Sequence, residues 1–222
     1  MNLAKRRIAV IGGSGALGGG LAFRWAECGH KVVIGSRSEQ KAIGAAEAIN
    51  SSVGRDSVTG ANNLAAAAAA DIVVLTVPFA HHRQTLNEIR AAVQGKIVVD
   101  TTVPLVPPKV ARVQLSDEWP IARTTQQTLG EGVRVVSAFH NVAAAHLRDG
   151  IGDDEGDVLV FGNDKDAREI VVELADALGL KAWHAGSIDN SVVGESLTSV
   201  LIFLNKRYKI DGAGIRITGK AK

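Results

Sequence analysis

Aromatic residues are scarce in this chain of 222 residues: five Phe, three Trp and one Tyr make up only 4%, although 46% of residues are hydrophobic. Its core must therefore be filled by Ala, Val, Ile and Leu, which suits helices packed closely on a parallel sheet. Cysteine is nearly absent, with Cys28 the single one. That excludes an intramolecular disulfide and fits a reducing cytoplasm. Charge of one sign is lacking too: the formal net charge is +2, which gives no electrostatic case for a nucleic-acid or membrane partner. No run approaches the ~18 apolar residues that span a bilayer. The basic start, Met1 to Arg7, runs into glycines and lacks the apolar region and cleavage site of a signal peptide. A soluble, cytoplasmic protein is expected, long enough for one large domain or a medium one with a smaller companion.

Alternation of strand and helix signals dominates what is present. Residues 7–11 read as a buried strand, followed by a glycine turn and a helix carrying Leu17, Leu21, Trp25 and Cys28 on one face, which Gly29 can end. That spacing predicts a core position for Cys28. Residues 31–36 form the next strand, and Ser38 can cap a helix over 39–50. A short strand at 57–59 leads to Asn62 as a cap for an alanine-rich helix over 64–70. Strands at 71–77 and 96–100 flank a helix through Leu86, Ile89 and Val93. Three prolines between Thr101 and Pro108 exclude regular helix there. Further strands are expected at 133–139, 158–161 and 181–184, with helices at 166–178 and 192–208.

Gly13-x-Gly15-x-x-Gly18, preceded by Gly12, follows the first strand and opens the first helix. A lone glycine pattern is a weak signal; inside a βαβ unit it becomes a dinucleotide fingerprint. One glycine makes the turn, the next lets backbone approach a pyrophosphate, and the third lets helix pack on strand. The pyrophosphate then meets free N–H groups and the positive end of the helix dipole. The fold class expected is α/β: a doubly wound parallel sheet of the Rossmann type over residues 1–130, with a smaller C-terminal α/β domain over 131–222 closing the cleft.

The end of the second strand separates the two nicotinamide cofactors. An NAD site places Asp or Glu about 20 residues after the loop, to accept from the ribose 2′-hydroxyl. This chain has Ser36, Arg37 and Ser38 there, with Lys41 one helical turn on. Hydroxyls donate hydrogen bonds, and Arg and Lys bring charge to a dianionic 2′-phosphate. NADP(H) is therefore favoured over NAD(H).

Several further stretches carry a resemblance. They are Ile-Gly-Gly-Ser-Gly-Ala-Leu-Gly at 11–18, Gly-His-Lys-Val-Val-Ile-Gly-Ser-Arg at 29–37, and Leu-Thr-Val-Pro at 75–78 with His81. With them go Lys-Ile-Val-Val at 96–99, Val-Val-Ser-Ala-Phe-His at 135–140, Glu-Ser-Leu-Thr at 195–198 and Gly-Ile-Arg at 214–216. Over most of its length the chain resembles the coenzyme F420-dependent NADP oxidoreductases. The resemblance implies that Ser14, Ser36, Arg37 and Lys41 hold the 2′-phosphate and that Gly15, Ala16 and Leu17 contact the pyrophosphate. It implies that Thr76, Val77, Pro78, Val103 and Ala144 border the nicotinamide half. His140, the stretch from Asn141 to Ala144 and the backbone near Ala213 would face the deazaflavin, and the assembly would be a homodimer. Two stretches depart from the family's pattern: Asp100-Thr101-Thr102-Val103-Pro104, and Asn141 to Ala145 after the histidine.

The reaction so implied is hydride transfer between NADP(H) and coenzyme F420. The cofactors carry the reactivity and the protein supplies position and electrostatics, so no side-chain nucleophile is required. His140, at a strand's C-terminal end, is the best side-chain candidate for orienting the deazaflavin; a buried histidine bonded to backbone is the plainer reading. His81 and His82 are read either as a wall for the nicotinamide or as exposed residues of a helix start. No metal site is expected: adjacent histidines do not converge on one ion, and the acidic residues 153–157 lack calcium-loop spacing. Two other functions share these features. One is a same-fold NADPH-dependent reductase of a flavin or a small imine or carbonyl compound; the other is a non-enzymatic NADP(H)-sensing module.

Overall fold

A computed structural model of the chain describes residues 6–114, 119–149 and 156–220. Eight strands alternate with eight helices: β1 (Arg7–Ile11), α1 (Ala16–Glu27), β2 (Lys31–Ser36), α2 (Glu39–Val53), β3 (Val58–Asn62), α3 (Asn63–Ala68), β4 (Ile72–Leu75), α4 (Phe79–Ile89), β5 (Ile97–Asp100), α5 (Ile121–Leu129), β6 (Arg134–Ser137), α6 (His146–Asp149), β7 (Val158–Gly162), α7 (Lys165–Asp176), β8 (Ala182–His184) and α8 (Ser191–Tyr208). The sheet order is β3-β2-β1-β4-β5-β6-β7-β8. Every pairing is parallel except β6 with β7. That one antiparallel contact departs from the all-parallel sheet the alternation predicts. The expected doubly wound α/β class is what forms.

Central strands are buried on both faces, as their unbroken Val and Ile runs require. Alternate residues feed two cores. Ile8, Val10, Ile34, Val74 and Val99 pack with α1, α2 and α7 on one side. Ala9, Ile11, Val73, Leu75 and Val98 pack with α3, α4 and α5 on the other. Alanine at 66 and 67 brings α3 close to β1 and β2, which gives the polyalanine run its packing role. The few aromatics join elements that are distant in sequence. Trp25 of α1 meets Phe139 edge to face, with ring centroids 6.0 Å apart, and donates to the Leu174 carbonyl of α7 at 3.0 Å.

Caps follow the local chemistry. Ser38 accepts from the Lys41 N–H, Asn62 from Ala65 and Asp164 from Ala167. Helix α2 runs three residues past the expected Asn50, to Val53, where Gly54 takes a left-handed conformation and stops it. Helix α5 has no counterpart in the sequence reading. Its buried Ile121, Ala122, Thr125 and Leu129 have helical spacing, but two are polar or small and it follows proline-rich chain. Cys28 corrects the expected core position: it caps α1 at the exposed surface, its Sγ 2.9 Å from the Ala177 carbonyl oxygen. The acidic run at 153–157 lies mostly outside the described residues. No described helix is long and apolar enough to cross a membrane.

Candidate active site

The chain reverses its winding between β1 and β4, and the crevice beyond their C-terminal ends is where such sheets bind ligands. β1 delivers the glycine loop into that crevice. The left-handed glycine is Gly12, at φ 85°, where the loop reading would have put Gly13. A Cβ on Gly18 would stand 2.3 Å from Thr76 Oγ1 and 2.9 Å from the Gly12 carbonyl, so only glycine lets α1 pack on β1 and β4. No side chain caps α1. Its first N–H groups therefore stay available to an anion at the positive end of a twelve-residue helix.

A cavity of about 310 Å³ opens above the loop, lined by Gly12, Ser14, Gly15, Ala16, Ser36, Arg37, Asn63, Thr76, Val77, Pro78, His81 and Thr85. Arg37 follows β2 directly, and Lys41 is exposed on the first turn of α2. Among the described residues no carboxylate pairs with either side chain, so both charges are uncommitted. Lys41 is not among the residues bordering this cavity. Ser36 Oγ accepts from the Ser38 N–H at 3.3 Å, which keeps its own hydrogen available to a ligand.

Thr76, Val77 and Pro78 also border a second cavity of about 250 Å³, together with Leu17, Phe79, Thr101, Thr102, Val103 and Leu105. Asp100, at the end of β5 and just before the lining residues Thr101 and Thr102, is buried. Asp100 takes His82 Nε2 at 2.8 Å, Thr125 Oγ1 at 2.5 Å and the Thr102 N–H at 2.9 Å. Burial alone would raise its carboxyl pKa. The His82 charge and the hydrogen bonds from His82, Thr125 and Thr102 outweigh that and hold it below the usual carboxylate range. Asp100 thus stays ionised and fixes the turn into the loop at 101–105.

His140 sits in a third, smaller cavity of about 140 Å³, whose walls include Asn141, Val142, Ala143, Thr198 and Ala213. Phe139 just before it has φ 64°, a left-handed conformation that costs a non-glycine residue about 1–2 kcal/mol and turns the chain sharply. The His140 ring is 2.9 Å from Ser137 Oγ, and its carbonyl accepts from Thr198 Oγ1 at 2.8 Å. Burial pushes its pKa down to about 4 against the opposing pull of Asp100, so the imidazole is neutral at pH 7. Glu195, on the same helix as Thr198, reaches across to the start of α5. It accepts from the Ile121 N–H at 2.8 Å, the Ala122 N–H at 3.1 Å and Ser191 Oγ at 2.8 Å. Burial raises its pKa, and those three bonds oppose the rise.

The structure therefore gathers the site residues read from the sequence in two groups. Ser14, Gly15, Ala16, Ser36, Arg37, Thr76, Val77, Pro78, Leu17 and Val103 line two cavities that share a wall. His140 and Ala213 meet in the third, which shares no lining residue with the others. Ala144 lines none of the three; its carbonyl lies 3.4 Å from where a Gly20 Cβ would be, against α1. His81 borders the first cavity, whereas His82 is buried on Asp100, which corrects its reading as an exposed residue of a helix start. The pairing of His82, Asp100 and Thr125 went unread in the sequence. A carboxylate ending a fully apolar strand, with a histidine on the preceding helix, was the available signal.

Fold, glycine loop and basic strand end together define a dinucleotide-dependent α/β oxidoreductase. A model of the NADP oxidoreductases dependent on coenzyme F420 matches residues 7–104. The F420-dependent NADP reductase of Methanothermobacter thermautotrophicus is 41% identical over 219 residues, covering 96% of this chain and 94% of that protein. The enzyme of the same name from Methanocaldococcus jannaschii is 37% identical over 220 residues, covering 96% and 98%. A crystal structure of a candidate F420-dependent NADP reductase from Arthrobacter sp. FB24 superposes with a TM-score of 0.82 at 26% identity, the match covering 96% of this chain and all of that one. The chain belongs to the family of F420-dependent NADP reductases.

Proposed function

We propose that this protein transfers hydride between NADP(H) and the deazaflavin coenzyme F420, a reading supported by relatives named F420-dependent NADP reductases. The observation that carries the reading is the pair of adjoining cavities across the β1/β4 switch, basic and glycine-lined at one end and largely apolar at the other. The residues fit the nucleotide: α1 offers open N–H groups, Ser36 and Arg37 bring a hydroxyl and a cation suited to a 2′-phosphate, and among the described residues no carboxylate lines that cavity. When bound, the nicotinamide and the deazaflavin supply the hydride donor and acceptor. Thr76, Val77 and Pro78 orient the nucleotide where it crosses between the cavities. Leu17, Phe79, Val103 and Leu105 exclude water from the reacting end, which strengthens every electrostatic contact there. Ser14 and Lys41 complete the phosphate site and Gly13 and Gly18 set its floor; His140 and Ala213, in the third cavity, and Ala144, packed against α1, are assigned to the deazaflavin by the family resemblance and not by a cavity shared with the nicotinamide end. Mixing the protein with NADPH and oxidised F420 tests this: loss of the deazaflavin's visible absorbance is expected. Unchanged absorbance at every pH, with NADPH bound tightly, would sink the reading.

A two-part chain is also proposed, with residues 131–222 closing a cleft formed by residues 1–130. Its support is the switch to antiparallel pairing at β6–β7 and the reach of α8 through Glu195 to α5. The lone cysteine supports a cytoplasmic setting. A homodimer is supported by α8, where Val193, Val200 and Phe203 are 56%, 44% and 52% exposed on one side of the helix. Phe203→Glu is expected to halve the mass measured by light scattering while leaving the circular dichroism unchanged. A wild-type monomer would contradict the dimer.

A further inference from the structure

Asn63 is the first residue of α3 and is only 2% exposed, yet it borders the cavity that receives Ser36 and Arg37. Its Nδ2 donates to Glu88 Oε2 on α4 at 3.2 Å. A carboxylate can only accept, so this contact settles which end of the amide is nitrogen and which is oxygen. The oxygen is left over. Among the described residues Oδ1 is buried and has no hydrogen-bond partner. Such an orphan acceptor is costly in a folded chain, and because Asn63 borders a ligand cavity a ligand that settles against it can supply the missing donor.

The position identifies which donor. Strands β2 and β3 lie on the side of β1 away from β4, the side taken by the adenosine half when a dinucleotide crosses the switch point. Asn63 follows β3 and lies against the end of β2: a Cβ on Gly35 would be 3.4 Å from the Asn63 Cα. The adenosine 2′-phosphate carries few donors. Its phosphate and ring nitrogens accept, and its 3′-hydroxyl can donate to the oxygens of the adjacent 2′-phosphate. The remaining donor is the exocyclic amine of the base.

We propose that Asn63 reads the adenine ring, its Oδ1 accepting from the 6-amino group while Glu88 locks the amide's orientation. This rests on the nucleotide placement proposed above and adds base specificity to it. Glu88 then acts as a positioning residue, through Asn63. A hypoxanthine base would present a carbonyl oxygen to Oδ1, setting two acceptors against each other.

The test compares dissociation constants for NADPH and its 6-deamino analogue, which has hypoxanthine in place of adenine, by calorimetric titration without F420. The wild-type protein should bind NADPH about tenfold to a hundredfold more tightly than the analogue. Asn63→Ala should bring the two within about twofold, chiefly by weakening NADPH. Glu88→Ala should lower the discrimination as well, because the amide becomes free to turn. The ratio is taken within each variant, so a general loss of stability does not imitate the effect. Equal affinity of the wild type for both nucleotides overturns the proposal. Equal weakening of both by Asn63→Ala also overturns it and gives Oδ1 to the ribose hydroxyl instead. Failure of the wild type to bind either nucleotide overturns the nucleotide placement itself, and this proposal with it.

Discussion

Asp100→Ala is expected to lose about 3 kcal/mol or more of unfolding free energy at pH 7, the cost of leaving three buried hydrogen-bonding groups without their acceptor. The substitution strips His82 Nε2, Thr125 Oγ1 and the Thr102 N–H of their shared acceptor at once. Asp100→Asn keeps an acceptor for part of that set and should lose less. Urea denaturation followed by circular dichroism measures both, and a change below about 1 kcal/mol for the alanine variant would show that the cluster is not paired as described. The pH dependence carries a definite sign. The folded carboxyl titrates below its unfolded value, so its contribution is fully present above the unfolded pKa near ~3.9 and is lost as pH falls through that range towards the folded value. Wild type and variant should therefore converge in stability under strong acid. The same variant loosens the loop at 101–105, which lines the second cavity, so F420 reduction should slow at saturating NADPH.

Arg37→Ala combined with Lys41→Ala should weaken NADPH by a few kcal/mol, about a hundredfold or more, while changing NADH little. Two charges that no carboxylate engages among the described residues lose no partner there on mutation, so stability should stay within about 0.5 kcal/mol. Equilibrium titration with each nucleotide reads the selectivity directly. Equal losses for NADPH and NADH would move the 2′-phosphate away from the end of β2. Each single variant adds information, because Arg37 borders the cavity and Lys41 stands outside it. Arg37→Ala should carry the larger part of the effect.

Periodicity and turn chemistry made the first 100 residues legible. Strand runs such as Ile72–Leu75 are apolar on both faces, and Ser38 and Asn62 are caps with a local mechanism. The lining of the first cavity was legible for the same reason, since the glycine loop, Ser36 and Arg37 lie within one βαβ unit. What sequence could not show were contacts made at long range. Asp100 meets a histidine 18 positions before it and a threonine 25 positions after it. Glu195 caps a helix 74 residues upstream, and no local pattern announces a cap supplied from so far away. Asn63 was hidden by its neighbour Asn62, which takes the visible capping role and leaves Asn63 free to turn inwards. Cys28 misled because its spacing from Trp25 is helical, while the helix ends at Glu27 and leaves the thiol outside the core.

Label transfer tests the central claim most directly. NADPH carrying deuterium at nicotinamide C4, in the position the enzyme uses, should deliver that deuterium to C5 of F420 in ordinary water, with one label retained per F420 reduced. Mass spectrometry and proton NMR of the product read the outcome. Hydride passing directly between nucleotide and deazaflavin predicts full retention. Reduced F420 without label from either stereospecifically deuterated NADPH, or no reduction by a protein that binds NADPH tightly, would contradict it.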